Sequence, residues 1–532
     1  MKNRKRMTKC LIVFVFVFAV YLLVGIFIYQ DYGISADEPT ERISTLVNVK
    51  YILKILGIDK ETGIEVPDLT EYKDKYYGTF LQMPAMIFEF HNENLGFVFW
   101  GRHLYTFILC LIGCAAFFLL CKKLLKSDLF AMMGTAMIAL YPRFFSEQFY
   151  NIKDMVFVAT FMIAMFVSVE LIESKFKWNW IFCFSAATAV SANVRIVGII
   201  FLMLMLGYLF VDYLAGKIWP IKYKSQCAHP FICGGSLLLL FLSVFVLILP
   251  ITWENPIRGI YDVFTKFSNF DDWNSTIVFM GKVIHKEELP WYYVPVWMLI
   301  SVPVWYLILF AAAIVTGICV FVKKLKVEEK SILELFSKYK YIIWCILLIA
   351  GPWLGIVIMH STLYNGWRHC YFMLPPLVLL ILFEVEYLFR EKRKVFLAFL
   401  PVMIIGAILQ IIWIINNHPY EMVYFNNVGK HFASSFDRDY WHLSSLQAVR
   451  YILEVEEDDK FSVETPGNDF YRYLLTDEER ERIIEADSPL YRIETYRGKT
   501  GNEVEMDGYE EIYSILVDDF KVATIFKKNG GN

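Results

Sequence analysis

The stretch from Cys10 to Tyr29, "CLIVFVFVFAVYLLVGIFIY", carries no charged residue. A helix of about 20 apolar residues is long enough to cross a bilayer. The segment before it, "MKNRKRMTK", is basic, as in a secretory signal peptide. A signal peptide, however, has an apolar region of about 7–15 residues and a small-residue cleavage site, and this run is longer and lacks such a site. We therefore predict a retained first membrane span.

Similar apolar runs recur along most of the chain. Of its 532 residues, 57% are hydrophobic and 17% aromatic, with a mean hydropathy of +0.46. Soluble globular proteins are about 45–50% apolar, so this composition excludes that class. We predict an α-helical polytopic membrane protein with about eleven transmembrane helices. The predicted spans are residues 10–29, 104–121, 129–145, 154–172, 178–190, 196–213, 230–250, 291–322, 341–359, 370–388 and 395–416.

Basic clusters predict how these spans are oriented. They fall in every second connection, at residues 2–9, 122–126, 175–177, 217–224, 323–326 and 390–394. Because short cytoplasmic connections are rich in Lys and Arg, all six are expected in the cytoplasm. The N-terminus is then inside, and an odd number of spans leaves the C-terminus outside.

The chain beyond the last span differs in composition. Acidic stretches such as "EVEEDDK" follow it, and the apolar runs end. The segment "SSLQAVRYILE" (Ser444–Glu454) has a helical pattern, and "FKVATIFKK" (Phe520–Lys528) is typical of a strand. We predict a transmembrane domain over residues 1–416 and a small extracytoplasmic α+β domain over residues 417–532.

Two adjacent carboxylates, Asp37 and Glu38, follow the first span in "ISADEPTE". Pro39 fits the first turn of a helix, where acidic side chains also favour the helix dipole, so the pair is interpretable as a helix cap. The pair also lies where a lipid-linked substrate would present its head group. There a carboxylate can act as general base and take the proton of an acceptor hydroxyl.

The connection "YPRFFSEQFYNIKDM" (Tyr141–Met155) concentrates charge between the third and fourth spans. It contains Arg143, Glu147, Lys153 and Asp154, which we predict to lie in a turn. One interpretation is a solvated loop whose long side chains reach the interface. The other is a phosphate site, because Arg and Lys are natural partners of phosphate oxygens.

Two further positions place cations near the membrane. Arg195 lies in "SANVRIVGI" between very apolar segments. An arginine there costs a few kcal/mol, so it usually faces a partner or an aqueous cavity. Arg368 and His369 lie in "LYNGWRHCYFMLPPL", at the predicted outer mouth of the tenth span. That composition is compatible with an interfacial belt, or with binding of phosphate or sugar.

Several familiar chemistries have no motif in the sequence. There is no Walker phosphate loop, H-E-x-x-H metal motif, Rossmann fingerprint or nucleophile elbow. No large cytoplasmic segment offers a place for ATP or a nucleotide sugar, and nucleic acid is not an expected partner. The polar clusters converge instead on the predicted outer face.

These outer-face motifs resemble the GT-C superfamily of integral-membrane glycosyltransferases. The resemblance is to the bacterial branch related to protein O-mannosyltransferases (glycosyltransferase family 39-like) and lipid A aminoarabinose transferases, over most of residues 1–445. It is carried by "ADE", "YPRFFSEQFYNIKD", "NVRIVG", "ELPWYYVPVW", "YNGWRHCYFMLPP" and "HPYEMVYFNNVGK…FDRDYW". Ile152 stands where the related pattern "NPKD" has proline, which changes the turn but keeps its polar residues.

The resemblance implies an enzyme of the plasma membrane that uses a polyprenyl-phosphate-linked sugar on the outer face. It assigns the base to Asp37, supported by Glu38. The same pair is alternatively a site for a divalent cation, and no other cofactor is implied. Transfer to a glycan, protein or lipid acceptor is expected to be a single inverting displacement.

The resemblance also implies a site for the donor phosphate. Cationic side chains would neutralise the charge that develops on the departing phosphate. The candidates are Arg143, Lys153, Asp154, Arg195, Arg368 and His369.

A second function class stays open, a transporter or flippase of lipid-linked sugars or small solutes. Such proteins carry ionisable residues near the membrane midplane and often have repeats with broken helices. Here the charges lie at the predicted span ends and no repeat is found, which favours the enzyme.

Overall fold

The structure, a computed structural model, is dominated by helices. It describes residues 2–57, 66–89, 94–218, 225–268, 276–326, 332–467 and 469–530. The helices in chain order are α1 Lys2–Ile28, α2 Glu38–Ile55, α3 Leu95–Leu125, α4 Asp128–Ala139, α5 Pro142–Tyr150, α6 Asp154–Glu173, α7 Trp178–Val194, α8 Ile200–Ile218, α9 Pro230–Leu247, α10 Pro256–Ser268, α11 Tyr293–Ser301, α12 Val304–Lys326, α13 Ile332–Ile358, α14 Leu374–Glu391, α15 Arg393–Asn417, α16 Ser444–Val455 and α17 Asp477–Arg482.

The strands form two sheets. Their ranges are β1 Thr276–Phe279, β2 Lys282–His285, β3 Phe461–Glu464, β4 Ile483–Ile484, β5 Tyr491–Thr495, β6 Tyr509–Val517 and β7 Phe520–Lys528. Strands β1 and β2 make an antiparallel hairpin. The others make a five-stranded sheet in the order β4-β3-β5-β7-β6. Strand β3 pairs in parallel with β4 and β5, whereas β7 pairs antiparallel with β5 and β6.

The polytopic membrane class is confirmed. Within the described residues, eight helices are long and apolar enough to cross a membrane, or nine if the bent pair α4 and α5 is one span. Two of the eleven predicted spans are not in this count. The first lies in the 27-residue helix α1, of which Val13–Ile28 is the apolar part considered, and the fifth lies in the 17-residue helix α7. The orientation predicted from Lys and Arg stays a prediction.

The region predicted as a charged turn contains a buried helix instead. Helix α4 ends at Ala139, and α5 starts at Pro142 with a bend of 65° between them. Proline has no N–H to continue α4, yet its fixed backbone angle suits the first turn of a new helix. All nine residues of α5 are buried. The solvated-loop interpretation is therefore wrong for this segment.

The C-terminal region has the predicted mixture of helix and sheet. Helix α16 and strand β7 lie where the sequence predicted them, and α16 packs on β5 and β7. The region also contacts the first connection of the chain. A Cβ atom on Gly33 would lie 3.0 Å from the carbonyl oxygen of Leu443, so glycine permits this close approach. The division into two domains between residues 416 and 417 stays a prediction.

Candidate functional site

Four charged residues from distant parts of the sequence meet at one end of the helices. Asp37 is the residue before α2, Asp154 is the first residue of α6, Arg195 follows α7, and Arg368 begins the 3₁₀ turn that leads into α14. The folding of the helices thus joins them although more than 300 residues separate the first from the last. We call Asp37, Arg368, Asp154 and Arg195 the charge chain.

The charge chain alternates in sign and is linked by direct contacts. Arg368 Nη1 donates to Asp37 Oδ2 at 2.8 Å and lies 3.5 Å from Asp154 Oδ2. Asp154 Oδ1 forms an ion pair with Arg195 Nη2. The two middle side chains are buried, whereas 48% of Asp37 and 20% of Arg195 are exposed. A substrate can therefore reach the charge chain at its acidic end, Asp37, and at its basic end, Arg195.

Local backbone geometry fixes Asp154. The Nδ2 atom of Asn151 donates to Asp154 Oδ2 at 3.2 Å, and the Asp154 N–H donates to Asn151 Oδ1 at 2.9 Å. A carboxylate in the first turn of α6 also interacts favourably with the helix dipole. Asp154 is thus a fixed buried anion that orients Arg195 and Arg368, rather than a direct phosphate ligand.

Arg368 is held by aromatic rings as well as by carboxylates. Its guanidinium carbon lies 4.2 Å from the ring centre of Trp441 and 5.2 Å from that of Tyr364. Its Nε–H has no hydrogen-bond partner within the described residues. His369 packs against Tyr364 with ring centres 4.6 Å apart. Trp441, which follows the last membrane helix, thus helps to build the site.

Glu38 has a different environment from Asp37. It is buried, it accepts a hydrogen bond from the Ser35 N–H at 2.7 Å, and its Oε1 lies 3.0 Å from His103 Nε2. Asp37 occupies the N-cap position of α2 but makes no capping hydrogen bond with its side chain. Glu38 therefore fixes the start of α2, and Asp37 is the exposed carboxylate of the pair.

Lys153 lies beside the charge chain but has its own partners. Its Nζ donates to Glu41 Oε1 at 2.7 Å and lies 3.6 Å from the ring centre of Tyr77. Glu41 also accepts from Gln82 Nε2 at 2.6 Å. The Lys153 side chain is 18% exposed, so its ammonium group keeps some access to solvent. Glu41 belongs to "ISADEPTE", but its pairing across 112 positions has no local signal.

Arg143 does not join the charge chain. It is 1% exposed, and its Nε and Nη2 donate to the Tyr424 carbonyl at 3.1 and 3.0 Å. Its guanidinium carbon also lies 5.3 Å from the ring centre of Trp297. These contacts connect α5 to the segment after the last membrane helix. They suit a structural role better than the predicted binding of donor phosphate.

Glu147 forms a buried network with protein groups. Its Oε1 accepts from the hydroxyls of Tyr371 at 2.8 Å and Tyr440 at 3.3 Å, and its Oε2 accepts from Asn151 Nδ2 at 2.7 Å. No part of its side chain is exposed. We call Glu147, Tyr371, Tyr440 and the neighbouring Arg143 the closed network.

The predicted alternative use of Asp37 and Glu38, a divalent-cation site, does not fit these contacts. Asp37 is paired with Arg368, and Glu38 is paired with His103 and a backbone N–H. Across the described residues, no three or more His, Cys, Asp or Glu side chains are grouped to hold a metal ion. The two carboxylates serve different partners and do not converge as a ligand pair.

Arg497 is a cation near the site that the sequence analysis missed. Its Nη1 lies 3.4 Å from His442 Nε2. Burial and the positive charge of Arg368 lower the pKa of Arg497, whereas Asp437 and Asp37 act in the opposite direction. Arg497 therefore interacts electrostatically with both Arg368 and Asp37. Its surroundings in sequence, "ETYRGKT", resemble any polar surface turn and gave no signal.

The chain was compared with family models, curated proteins and solved structures. No family model matches the chain, and no curated protein matches it. Among solved structures, the chain is similar to ArnT from Cupriavidus metallidurans in the apo state, with 12% sequence identity over 98% of both chains and a TM-score of 0.43. That identity and TM-score are too low to transfer an activity or a residue's role.

Proposed function

We propose that this protein is a membrane glycosyltransferase of the GT-C type. It transfers a sugar from a polyprenyl-phosphate-linked donor to an acceptor of the cell envelope, on the outer face of the plasma membrane. The observation that carries the proposal is the charge chain. It presents an exposed carboxylate, Asp37, and a partly exposed cation, Arg195, where the ends of several helices meet.

Asp37 is suited to act as the general base. Arg368 holds its Oδ2, whereas its Oδ1 has no hydrogen-bond partner among the residues that the structure describes. The Oδ1 atom can therefore receive a proton from an acceptor hydroxyl, because a base must lie within hydrogen-bond reach of the proton that it removes. The ion pair fixes the orientation of the carboxylate, which reduces the entropy lost when the acceptor reaches its reactive geometry.

Arg195, Arg368 and Lys153 are suited to bind the donor phosphate. Arg195 and Arg368 belong to the charge chain and Lys153 lies beside it, and the Nε–H groups of both arginines are buried without hydrogen-bond partners in the described part of the chain. Charge-assisted hydrogen bonds to phosphate are about twice as strong as neutral ones. They strengthen as negative charge develops on the leaving group, which lowers the barrier.

The proposed reaction is one displacement. The acceptor oxygen forms a bond to the anomeric carbon while the bond from that carbon to the phosphate oxygen breaks. The bonding electron pair leaves with the lipid phosphate, and the acceptor proton passes to Asp37. The step inverts the anomeric carbon, and no sugar becomes covalently attached to the protein.

The positions of the charges favour this reaction over transport. A transporter needs ionisable groups near the middle of its spans. Asp37, Asp154, Arg195 and Arg368 all lie at the beginnings or ends of helices, and they meet at one end of the helical bundle. Such a site serves a head group at the membrane surface.

A transfer assay tests the proposal. The full-length protein is reconstituted in lipid nanodiscs with a panel of polyprenyl-phosphate sugars and an extract of envelope acceptors. The wild type is expected to transfer label from at least one donor, and Asp37→Asn is expected to lose that transfer because an amide cannot accept the proton.

Asp31→Asn is the matched control. Asp31 lies in the same connection, is 49% exposed against 48% for Asp37, and is likewise paired with one basic side chain, His418. It is expected to keep transfer. Equal transfer by wild type and Asp37→Asn contradicts the base assignment. Absence of transfer from every donor, with movement of lipid or solute across the bilayer, supports the transporter.

A further inference from the structure

A pocket beside the charge chain is lined by residues from the N-terminal and the C-terminal parts of the polypeptide. It has a volume of about 100 Å³. The first connection contributes Gly33 and Ala36, and the C-terminal region contributes Trp441, His442 and Arg497. Ala36 directly precedes Asp37, and Trp441 is the ring on which Arg368 rests. The pocket thus adjoins the proposed base without including it.

Arg497 is the cation of this pocket, and no carboxylate neutralises it directly. Among the described residues, its side-chain hydrogen bond is to a neutral group, the imidazole of His442 at 3.4 Å. Arg492, in the same strand region, forms an ion pair with Glu464 at 2.8 Å. The comparison indicates that Arg497 has hydrogen-bond donors available for a ligand, whereas Arg492 is already paired with a carboxylate.

His442 accepts a hydrogen bond from Arg497 rather than competing with it as a cation. Its Nδ1 lies 2.7 Å from the hydroxyl oxygen of Thr495, which fits an Nδ1–H donor and leaves Nε2 as an acceptor. Burial and the adjacent Arg497 lower the pKa of His442 to about 4. At neutral pH the imidazole is therefore uncharged and orients the guanidinium.

The backbone next to Arg497 is tied to the loop that carries Arg368. Gly498, at a φ of 69°, donates its N–H to Asp437 Oδ1 at 2.8 Å. Asp437 Oδ2 accepts from Asn365 Nδ2 at 2.8 Å, three residues before Arg368. Asp437 therefore holds Arg497 in a fixed position relative to the charge chain. A fixed arginine loses little side-chain entropy when it binds a ligand.

We propose that this pocket binds a carboxylate or phosphate group of the sugar acceptor through Arg497, so that a neighbouring hydroxyl of the acceptor faces Asp37. The planar guanidinium offers two parallel N–H donors to either anion. Trp441 contributes apolar lining to the same pocket. This inference rests on the proposed function and specifies its acceptor as an anionic glycan or glycolipid group.

A binding measurement with simple sugars tests the proposal without requiring catalysis. The full-length protein in nanodiscs is titrated with glucuronate, glucose 6-phosphate and neutral glucose, and dissociation constants are obtained by saturation-transfer NMR. We expect the carboxylate or the phosphate sugar to bind at least about tenfold more tightly than glucose, a ratio that corresponds to one charge-assisted contact. Arg497→Gln is expected to remove this preference.

Arg492→Gln is the matched control, and it is expected to keep the preference because its side chain lies outside the pocket lining. If Arg497→Gln does not fold, Arg497→Lys is used, and a reduced preference is expected because lysine lacks the planar fork. Equal binding of all three sugars by the wild type overturns the proposal. A preference that persists in Arg497→Gln but is lost in Lys153→Gln also overturns the proposal, because the anion then binds at the donor-phosphate side. Since this readout needs no transfer, its failure is distinguishable from failure of the proposed reaction.

Discussion

The charge chain and the closed network contain similar residues but differ in access. Both combine arginine with a carboxylate, and Asn151 donates hydrogen bonds to both. In the closed network, Glu147 is fully buried and every close partner is a protein group. In the charge chain, the terminal side chains of Asp37 and Arg195 reach solvent.

This difference in solvent access distinguishes charged side chains with a structural role from those that can react with a substrate. A buried charge whose hydrogen bonds are all made inside the protein contributes to a single packed arrangement. A charged side chain that is partly exposed, such as Asp37 or Arg195, can exchange its contact with solvent for one with a substrate. Mutations in the two networks are therefore expected to change different observables.

The largest expected contrast is between the two carboxylates. Asp37→Asn should lower the rate of sugar transfer by about 10³-fold, within the range for loss of a general base. Glu147→Gln keeps a carbonyl that accepts from Tyr371 and Tyr440 but places an amide N–H opposite Asn151 Nδ2, so its turnover should fall by no more than about tenfold, far less than in Asp37→Asn. Transfer rates of both purified variants check the contrast. A comparable loss in Glu147→Gln would place the reaction in the closed network.

The next effect concerns the middle of the charge chain. Arg368→Lys keeps the charge but replaces the rigid guanidinium, whose Nη1 contacts both Asp37 and Asp154, with a flexible ammonium group. We expect turnover to fall by about 10²-fold, as for loss of one preorganised donor that acts on developing charge. The rate at saturating donor measures this. An unchanged rate would mean that Arg368 only packs against Trp441.

A smaller effect is expected at the edge of the site. Lys153→Gln removes one charge-assisted contact to the donor phosphate, worth about 1.5 kcal/mol, and should raise the donor KM about tenfold with little change in kcat. Steady-state kinetics with varied donor check this. If kcat falls and KM does not change, Lys153 contributes to the reacting geometry rather than to donor binding.

Arg143 tests the closed network through stability. Arg143→Met should leave the turnover of the folded protein nearly unchanged, because no contact joins Arg143 to the charge chain. It should lower the free energy of unfolding by about 1–3 kcal/mol, since the buried Tyr424 carbonyl loses both donors. Thermal unfolding in nanodiscs measures the loss. A fall in turnover with unchanged stability would contradict the structural role.

The smallest effect is a pH dependence of stability at His418. Its ring lies 2.7 Å from Glu421 Oε1 and 3.0 Å from Asp31 Oδ2. Burial lowers the pKa of His418, but the hydrogen bonds to Glu421 and Asp31 outweigh it and raise the pKa above its ordinary value. The imidazolium therefore stabilises the fold fully below the ordinary pKa of about 6.5, and this stabilisation is lost as the pH rises through the raised value.

Unfolding temperatures of wild type and His418→Gln check that sign. The difference between them should be largest near about pH 5.5 and should shrink as the pH rises to about 9. Asp31→Asn should reduce the pH dependence because one of the two carboxylates is removed. A difference that grows with pH would contradict the assignment.

The sequence predicted the fold class from apolar runs, and it predicted α16 and β7 from local patterns. It did not predict helix α5, because charged residues in a short connection between apolar runs are typical of a loop. Only the packing of distant segments buries them. Asp37, Asp154, Arg195 and Arg368 were identified because they are charged residues at the ends of predicted spans, and for Arg195 because an arginine near a bilayer is costly. Their pairings, and the participation of Glu41 and Arg497, depend on contacts between distant segments. No local pattern specifies such contacts.

One measurement tests the central claim most directly: the structure of the full-length protein in nanodiscs with a polyprenyl-phosphonate sugar that cannot be cleaved. We predict phosphonate oxygens within about 3 Å of the nitrogens of Arg195, Arg368 or Lys153, with the anomeric carbon facing Asp37. Arg143 should keep its contacts to Tyr424. A phosphonate bound at Arg143, or a sugar far from Asp37, would contradict the account.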